Sequence, residues 1–149
     1  MNHAHWQARA EQEAMRSVCK RAQVGCVIHR DEKELVSGYN YNVFGGRCEC
    51  ELSGETLKWV LHAEQSALHG ATLAGIDLTG AVVHVTRQPC ANCAELLIEA
   101  RISAVWYRDD SSCDAGLRRL QEAGIKTARF KSQADIDQDF FRAHCDEAV

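Results

Sequence analysis

The chain has 149 residues, of which 46% are hydrophobic and 26% charged, and its formal net charge is −4. This composition fits one globular domain with a sizeable core and excludes a disordered chain. The acidic balance disfavours a broad polyanion-binding surface. No apolar run approaches the ~20 residues of a membrane span and the N-terminus lacks a secretion-signal pattern, so we expect an intracellular, cytoplasmic protein.

The first part of the chain is predicted to form a helix and a β-hairpin. Apolar residues recur every three or four positions over about 4–19, as they do on one face of an amphipathic helix. Two β-rich runs follow at 24–28 and 35–40, and the polar residues 31–33 between them predict a tight turn. These strands are therefore expected to pair antiparallel.

The middle of the chain changes from an irregular pattern to a helical one. Residues 42–54 contain Gly45, Gly46 and Gly54 among charged side chains, which predicts a loop. From about 55 to 74 the apolar residues return to helical spacing, and Gly75 indicates the end of that helix.

From residue 81 onward, strands alternate with helices. The pattern predicts strands at 81–86, 102–107 and 125–130, and helices at 90–100, 112–123 and 134–145. Ser111 or Ser112 is the expected N-cap of the second of these helices, with Gly124 at its C′ position. Such alternation favours parallel strand pairing. Together with the hairpin, it predicts an α/β protein: a three-layer α/β/α sandwich around a five-stranded mixed sheet, in a single domain over residues 1–149.

Two short motifs carry ligands of the kind that zinc prefers. They are His62-Ala63-Glu64 and Pro89-Cys90-Ala91-Asn92-Cys93. A catalytic zinc needs three protein ligands and one open position for water, and His62, Cys90 and Cys93 supply three. The two cysteines share one face of the first turn of a predicted helix, where unpaired N–H groups favour thiolates. The sequence therefore predicts a catalytic metal site.

Glu64 is expected to remain outside the ligand set. A hard carboxylate is a poor companion for two thiolates, whereas a free one can act as general base and acid. It would take a proton from the attacking water and pass it on to the substrate and to the leaving group. Two alternatives stay open: a structural zinc site with a fourth cysteine ligand, and a metal-free core in which the cysteines act as small hydrophobic residues.

The order H-x-E and then P-C-x-x-C is typical of zinc-dependent nucleobase deaminases. On these residues the chain resembles the cytidine deaminase superfamily and, within it, the deoxycytidylate (dCMP) deaminases. The resemblance covers roughly 15–130 and includes the strand pattern at 23–28 and Gly38-Tyr39-Asn40. It implies a zinc-dependent hydrolase that deaminates a free cytosine nucleotide, dCMP to dUMP. The alternatives are a superfamily deaminase acting on a nucleoside, a free base or nucleic-acid cytosine or adenine, and a non-catalytic zinc-binding module.

The resemblance also implies roles for residues outside the two motifs. Asn40 would hydrogen-bond the sugar, the backbone N–H of Ala63 would contact the base carbonyl, and Val24 would line the base. For Asn40, a purely structural role at a strand-end turn is the alternative. Arg21 and Arg47 are candidates for the phosphate, or ordinary surface arginines. The expected partner is a small nucleotide, with no nucleic acid and no membrane, in a homo-oligomer for which the family allows a hexamer.

The chain has eight cysteines. Without a secretion signal, metal binding and free thiols are expected rather than a disulfide framework. The resemblance extends to phage and bacterial deaminases, so a phage-encoded enzyme is allowed, and some of these carry a second, structural zinc. Cys19, Cys48 and Cys50 lie near the corresponding positions. The expected cofactor is therefore one catalytic Zn²⁺, with either a second structural Zn²⁺ or unrelated free thiols at these three cysteines.

Overall fold

The structure is a computed structural model, and it describes residues 2–19, 22–43 and 60–131. The helices are α1 (His3–Ala14), α2 (Ala63–Ala74), α3 (Ala91–Glu99) and α4 (Ala115–Glu122). The strands are β1 (Gly25–Arg30), β2 (Lys33–Tyr39), β3 (Tyr41–Asn42), β4 (Val60–Leu61), β5 (Val82–Arg87), β6 (Ala104–Asp109) and β7 (Lys126–Arg129). The helix predicted at 134–145 lies outside the described residues.

Five of the strands form one mixed sheet in the order β2-β1-β5-β6-β7. β1 pairs antiparallel with both β2 and β5, whereas β5, β6 and β7 are parallel. The β1–β2 turn consists of Asp31 and Glu32, whose φ values of 54° and 63° are those of a tight two-residue hairpin turn. The predicted hairpin and five-stranded mixed sheet are confirmed. The C-terminal ends of the parallel strands meet at one edge of the sheet.

Helices cover both faces of this sheet, as the predicted sandwich requires. On one face, Trp6 and Ala10 of α1 pack on Val27. On the other, alanines of α2 and apolar residues of α3 and α4 form the larger core with Val83 and Val85. Because side chains alternate along a strand, His84 and Thr86 point to the α1 side. Strand β5 thus separates two chemically different layers.

The start of α2 differs from the prediction. The helical pattern was expected from about 55, but Val60–Leu61 is a short strand that pairs antiparallel with Tyr41–Asn42. His62 follows in an extended conformation, with ψ at 160°, and α2 begins at Ala63. Pairing with a strand far away in the sequence has overridden the local helical pattern here. As a result, His62 is the N-cap residue at the start of the helix, the position that its predicted role as a metal ligand required.

Two further helix ends differ from the prediction. The first helix stops at Ala14, several residues before the expected end at 19. The N-cap of α4 is Asp114 rather than Ser111 or Ser112. Ser111 instead accepts a hydrogen bond from the backbone N–H of Cys113, a local turn that competes with helix capping. The predicted C-terminal glycine of α4 is confirmed, since Gly124 has a φ of 83°.

A chain of three histidines lies between α1 and the sheet. Nε2 of His29 is 3.0 Å from Nδ1 of His84, and Nε2 of His84 is 3.2 Å from Nδ1 of His3. Trp6 stacks on His29 with ring centroids 4.2 Å apart. Burial lowers the pKa of His29 to about 4 and that of His84 to about 3. Both rings are therefore neutral at pH 7.

We expect this histidine chain to make the fold sensitive to mild acid. Between pH 6.5 and about 4, His29 and His84 are protonated in the unfolded chain but remain neutral in the folded protein. The free energy of unfolding therefore falls as the pH is lowered. At pH 5 the loss is about 2 kcal/mol for each histidine. Urea denaturation at pH 7 and pH 5 measures it. His29→Gln is expected to show a smaller loss over this range, and an equal loss in both proteins would contradict the assignment.

Within the described part of the chain, no helix is both long and apolar enough to cross a membrane.

Candidate metal and catalytic site

Two helix N-termini converge on the candidate metal ligands. His62 is the N-cap residue of α2, Cys90 is the N-cap residue of α3, and Cys93 is the third residue of α3. The prediction placed Cys90 one position further along, inside the helix. Helix N-termini carry unpaired N–H groups and partial positive charge, which favour thiolates.

The three donor atoms are close enough to bind one ion. Nδ1 of His62 lies 3.5 Å from Sγ of Cys90 and 3.3 Å from Sγ of Cys93. All three atoms lie within 4.8 Å of one another, and no other such group of three occurs among residues 2–19, 22–43 and 60–131. Nitrogen and sulfur ligands of a tetrahedral zinc lie roughly 3.5 Å apart, given usual bond lengths of ~2.0 and ~2.3 Å. The donor set therefore fits zinc with one position left open.

The two cysteines have different surroundings. Cys93 is fully buried, whereas Cys90 is exposed, so the site opens to solvent on the Cys90 side. A hydrogen bond from the Cys93 thiol, with a further one from His62, lowers the pKa of Cys90 to about 3. The same bond and burial raise the pKa of Cys93. Without a metal, the pair thus shares one proton, with the thiolate on Cys90.

Glu64 lies next to this group but is not part of it. It is the second residue of α2 and only 3% exposed. Burial raises the pKa of its carboxyl, and a hydrogen bond from its own backbone N–H and the nearby charge of His62 partly oppose that rise. A carboxyl held in a buried position beside a metal site, with its pKa shifted toward neutrality, is suited to proton transfer.

Two glutamines hold the ligand-bearing segments, and neither was predicted from the sequence. The backbone N–H of His62 donates to Oε1 of Gln65 at 2.8 Å, which fixes the entry into α2. Nε2 of Gln88 donates to the carbonyl oxygen of Cys113 at 2.7 Å, which ties the β5–α3 turn to the segment before α4. The first could have been found from the N-cap-to-N3 spacing of a capping box. The second depends on a contact between distant segments.

Gly116 is the residue of α4 that contacts the turn carrying Cys90. A Cβ at this position would lie 2.0 Å from the carbonyl oxygen of Pro89 and 2.8 Å from the carbonyl carbon of Cys90. Both atoms belong to the backbone, so neither can move aside alone. Helix α4 therefore packs directly against the turn that places the first thiol.

We expect Gly116→Ala to displace Cys90 and weaken the site. Overpacking of this kind destabilises by about 1–3 kcal/mol, and the displaced turn should also lower the affinity for zinc. Gly70→Ala is the matched control, since its Cβ would meet only a methyl group of Val36 at 3.3 Å. Urea denaturation and competition with a chromogenic zinc chelator measure both effects. Wild-type zinc affinity in Gly116→Ala would show that the contact does not position Cys90.

The three residues predicted to bind substrate, Ala63, Val24 and Asn40, differ in their burial and in their hydrogen bonds. Ala63 is fully buried at the first position of α2, where the helix supplies no acceptor for its backbone N–H. Val24 packs at the edge of the larger core. The Asn40 side chain accepts from the N–H of Val24 at 2.9 Å and donates to the carbonyl of Ala22 at 2.8 Å. Asn40 thus has the strand-end structural role.

Most of the predicted second metal site lies outside the described residues, as do Arg21 and Arg47. Of its three cysteines, Cys48 and Cys50 are outside and Cys19 is inside. Cys19 is 4% exposed, and its sulfur is engaged in a disulfide bond. Zinc binding by Cys19 would require that bond to be reduced. The second zinc stays a prediction.

The sequence matches a family model over residues 1–108, that of the cytidine and deoxycytidylate deaminase zinc-binding region. It is 31% identical over 130 residues to ComE operon protein 2 of Bacillus subtilis, covering 84% of this chain and 67% of that one. It is 34% identical to the deoxycytidylate deaminase of Mycobacterium phage D29, covering 66% of this chain and 87% of that one. With yeast deoxycytidylate deaminase the identity is 32%, and the match spans 41% of the yeast protein.

The structure is similar to solved deaminase structures. The dCMP deaminase of cyanophage S-TIM5, solved in complex with dCMP and dUMP, superimposes with a TM-score of 0.80 at 29% identity. The match covers 85% of this chain and 95% of that one. A tRNA:A34 deaminase superimposes with a TM-score of 0.60 at 22% identity, a likeness of fold alone.

Proposed function

Because the chain belongs to the cytidine and deoxycytidylate deaminase family, we propose that it catalyses the zinc-dependent hydrolytic deamination of dCMP to dUMP. It is thus a hydrolase that acts on a free nucleotide. The observation that carries this proposal is the buried carboxyl of Glu64 beside, and not within, a group of one histidine and two cysteines. A structural zinc site requires only its four protein ligands and no buried carboxyl beside them.

In the proposed mechanism His62, Cys90 and Cys93 hold the zinc. A zinc ion with three protein ligands lowers the pKa of a water molecule towards ~7, which makes hydroxide available at neutral pH. Glu64 accepts the proton released from water and donates it to N3 of cytosine. The hydroxide oxygen bonds to C4 as N3 takes that proton. Glu64 would then take the second proton from the new C4 hydroxyl and give it to the amino group, so that the C4–N bond breaks, the C4 carbonyl of uracil forms, and ammonia leaves.

Other groups of the chain position the base. The backbone N–H of Ala63, for which α2 itself supplies no acceptor, lies at the positive end of that helix and suits the O2 carbonyl of cytosine. Val24 would supply an apolar wall, and the side chain of Asn40 would hydrogen-bond the sugar. Since Glu64 and Cys93 are buried, the amino group must enter from the exposed Cys90 side.

The choice of dCMP over other substrates has two supports. The S-TIM5 enzyme, whose structure contains dCMP and dUMP, matches most of this chain in fold and sequence. The net charge of −4 disfavours the alternative of nucleic-acid cytosine or adenine. A nucleoside or a free base remains the competing substrate class.

Ammonia release from dCMP, dCTP, deoxycytidine, cytosine and single-stranded DNA tests this proposal. We expect the highest kcat/KM with dCMP and none measurable with DNA. If the zinc-loaded protein releases ammonia fastest from deoxycytidine or cytosine, the substrate is a nucleoside or a free base instead of dCMP. Bound zinc with no release from any member of the panel would favour the non-catalytic module.

We further propose a cytoplasmic homo-oligomer of a single-domain chain, with a hexamer as one candidate assembly. The family resemblance supports this assembly, and light scattering of the purified protein measures it. Metal analysis distinguishes one zinc per chain from two, before and after reduction of the Cys19 disulfide. A value of one after reduction would remove the second, structural zinc.

A further inference from the structure

Arg87 is the last residue of β5 and stands at the edge of the sheet where the candidate site lies. Val83 and Val85 of the same strand belong to the core between the sheet and helices α2 and α3. Because side chains alternate along a strand, Arg87 points to that same side. The strand therefore ends with a cation aimed at the layer that holds the candidate metal ligands.

The positive charge of Arg87 interacts with the candidate metal site. Arg87 precedes Cys90 by only the two residues of the β5–α3 turn. A hydrogen bond with Cys90 raises the pKa of the His62 imidazole, and burial and, more weakly, the positive charge of Arg87 oppose that rise. The guanidinium is thus near enough to the site to act on charge bound there.

Arg87 has no anionic partner within the part of the chain that the structure describes. Its cross-strand neighbour is Asp109, but both carboxylate oxygens of Asp109 already accept from Arg108 at 2.9 Å. Other arginines are paired: Arg9 with Glu34, and Arg119 with Glu95. A half-buried guanidinium beside the candidate site, with no counter-ion among residues 2–19, 22–43 and 60–131, is available to an anionic ligand.

We propose that Arg87 binds the 5′-phosphate of the nucleotide substrate and makes the enzyme select nucleotides over nucleosides. This inference rests on the proposed function, and it assigns the phosphate to a residue that the sequence analysis did not consider. A guanidinium offers two parallel N–H donors that match two phosphate oxygens, and such charge-assisted pairs are strong. With the base held at Glu64, the 5′-phosphate of the bound nucleotide extends toward the open side of the site, near the end of β5.

The test compares Arg87→Ala and Arg87→Lys with wild type on dCMP and on deoxycytidine. We expect Arg87→Ala to lower kcat/KM for dCMP about 10- to 100-fold, mainly through KM, and to leave deoxycytidine unchanged. Arg87→Lys should recover part of the loss, since lysine keeps the charge but not the paired donors. Lys126→Gln is the matched control, because it removes one exposed cation from the opposite edge of the sheet.

Binding gives a second readout that does not depend on turnover. In calorimetry, wild type should bind dUMP at least ten times more tightly than deoxyuridine, and Arg87→Ala should bind both alike. Zinc content should be the same in all variants, which separates phosphate binding from damage to the metal site.

The possible failures are distinguishable. If wild type does not deaminate dCMP, the proposed function itself fails. If wild type selects dCMP and Arg87→Ala keeps that selectivity, the inference fails and the proposed function stands. Equal losses on dCMP and deoxycytidine, or loss of zinc, would also overturn it, because they indicate a structural role.

Discussion

Glu64→Gln should retain zinc and lose nearly all deaminase activity. The amide has almost the same shape as the carboxyl but cannot accept the proton from water or return it to the leaving ammonia. General acid–base catalysis contributes 10²- to 10⁴-fold, and one residue serves both halves of this reaction, so we expect a fall in kcat of about 10³-fold or more. Steady-state assays on dCMP with metal analysis of the same sample measure both quantities.

Glu99→Gln is the matched control for this substitution. It removes an exposed carboxylate at the far end of α3 and should leave kcat within about twofold, as surface changes generally do. Near-normal turnover by zinc-loaded Glu64→Gln would falsify the role given to Glu64. Loss of zinc from that variant would instead show that Glu64 helps to hold the metal.

Cys93→Ser should lose the metal and, with it, all measurable activity. The buried Cys93 sulfur is one of the three proposed ligands, and a serine hydroxyl does not ionise at neutral pH as a thiol does beside a metal. Zinc content should fall from about one per chain towards zero at the catalytic site. Because ligand binding to the native state adds to stability, the midpoint of thermal unfolding should fall as well.

Cys113→Ser is the control for removing a thiol that is not a candidate metal ligand. Cys113 is free and exposed, and it contributes its backbone carbonyl, not its sulfur, to the bond with Gln88. This variant should keep both zinc and activity. A Cys93→Ser protein that binds catalytic zinc at wild-type affinity would exclude Cys93 from the ligand set.

The fold could be predicted where local patterns and tertiary structure agree. The hairpin around Asp31 and Glu32, the alternation of strands with helices, and the end of α4 at Gly124 depend on residues close in sequence. The failure at Val60–Leu61 has a physical cause. These residues suit either a helix or a strand, and pairing with Tyr41–Asn42 decided between them.

The candidate site could be predicted to a similar extent. His62, Glu64, Cys90 and Cys93 lie in two short motifs whose spacing reflects ligand geometry, so the sequence alone identifies them. Gly116 gives no such signal, because its close contact with Cys90 arises only when α4 folds back on the β5–α3 turn. Arg87 was detectable in principle, since the Val83-Val85-Arg87 alternation places it on the core side.

The difference in exposure between the two thiols has a consequence for redox chemistry. In the metal-free protein Cys90 is an exposed thiolate at neutral pH, and thiolate character with access is what makes a cysteine susceptible to peroxide. Cys93 lies beside it, able to condense with a sulfenic acid formed on Cys90. We therefore expect zinc binding and oxidation to compete for the same sulfur.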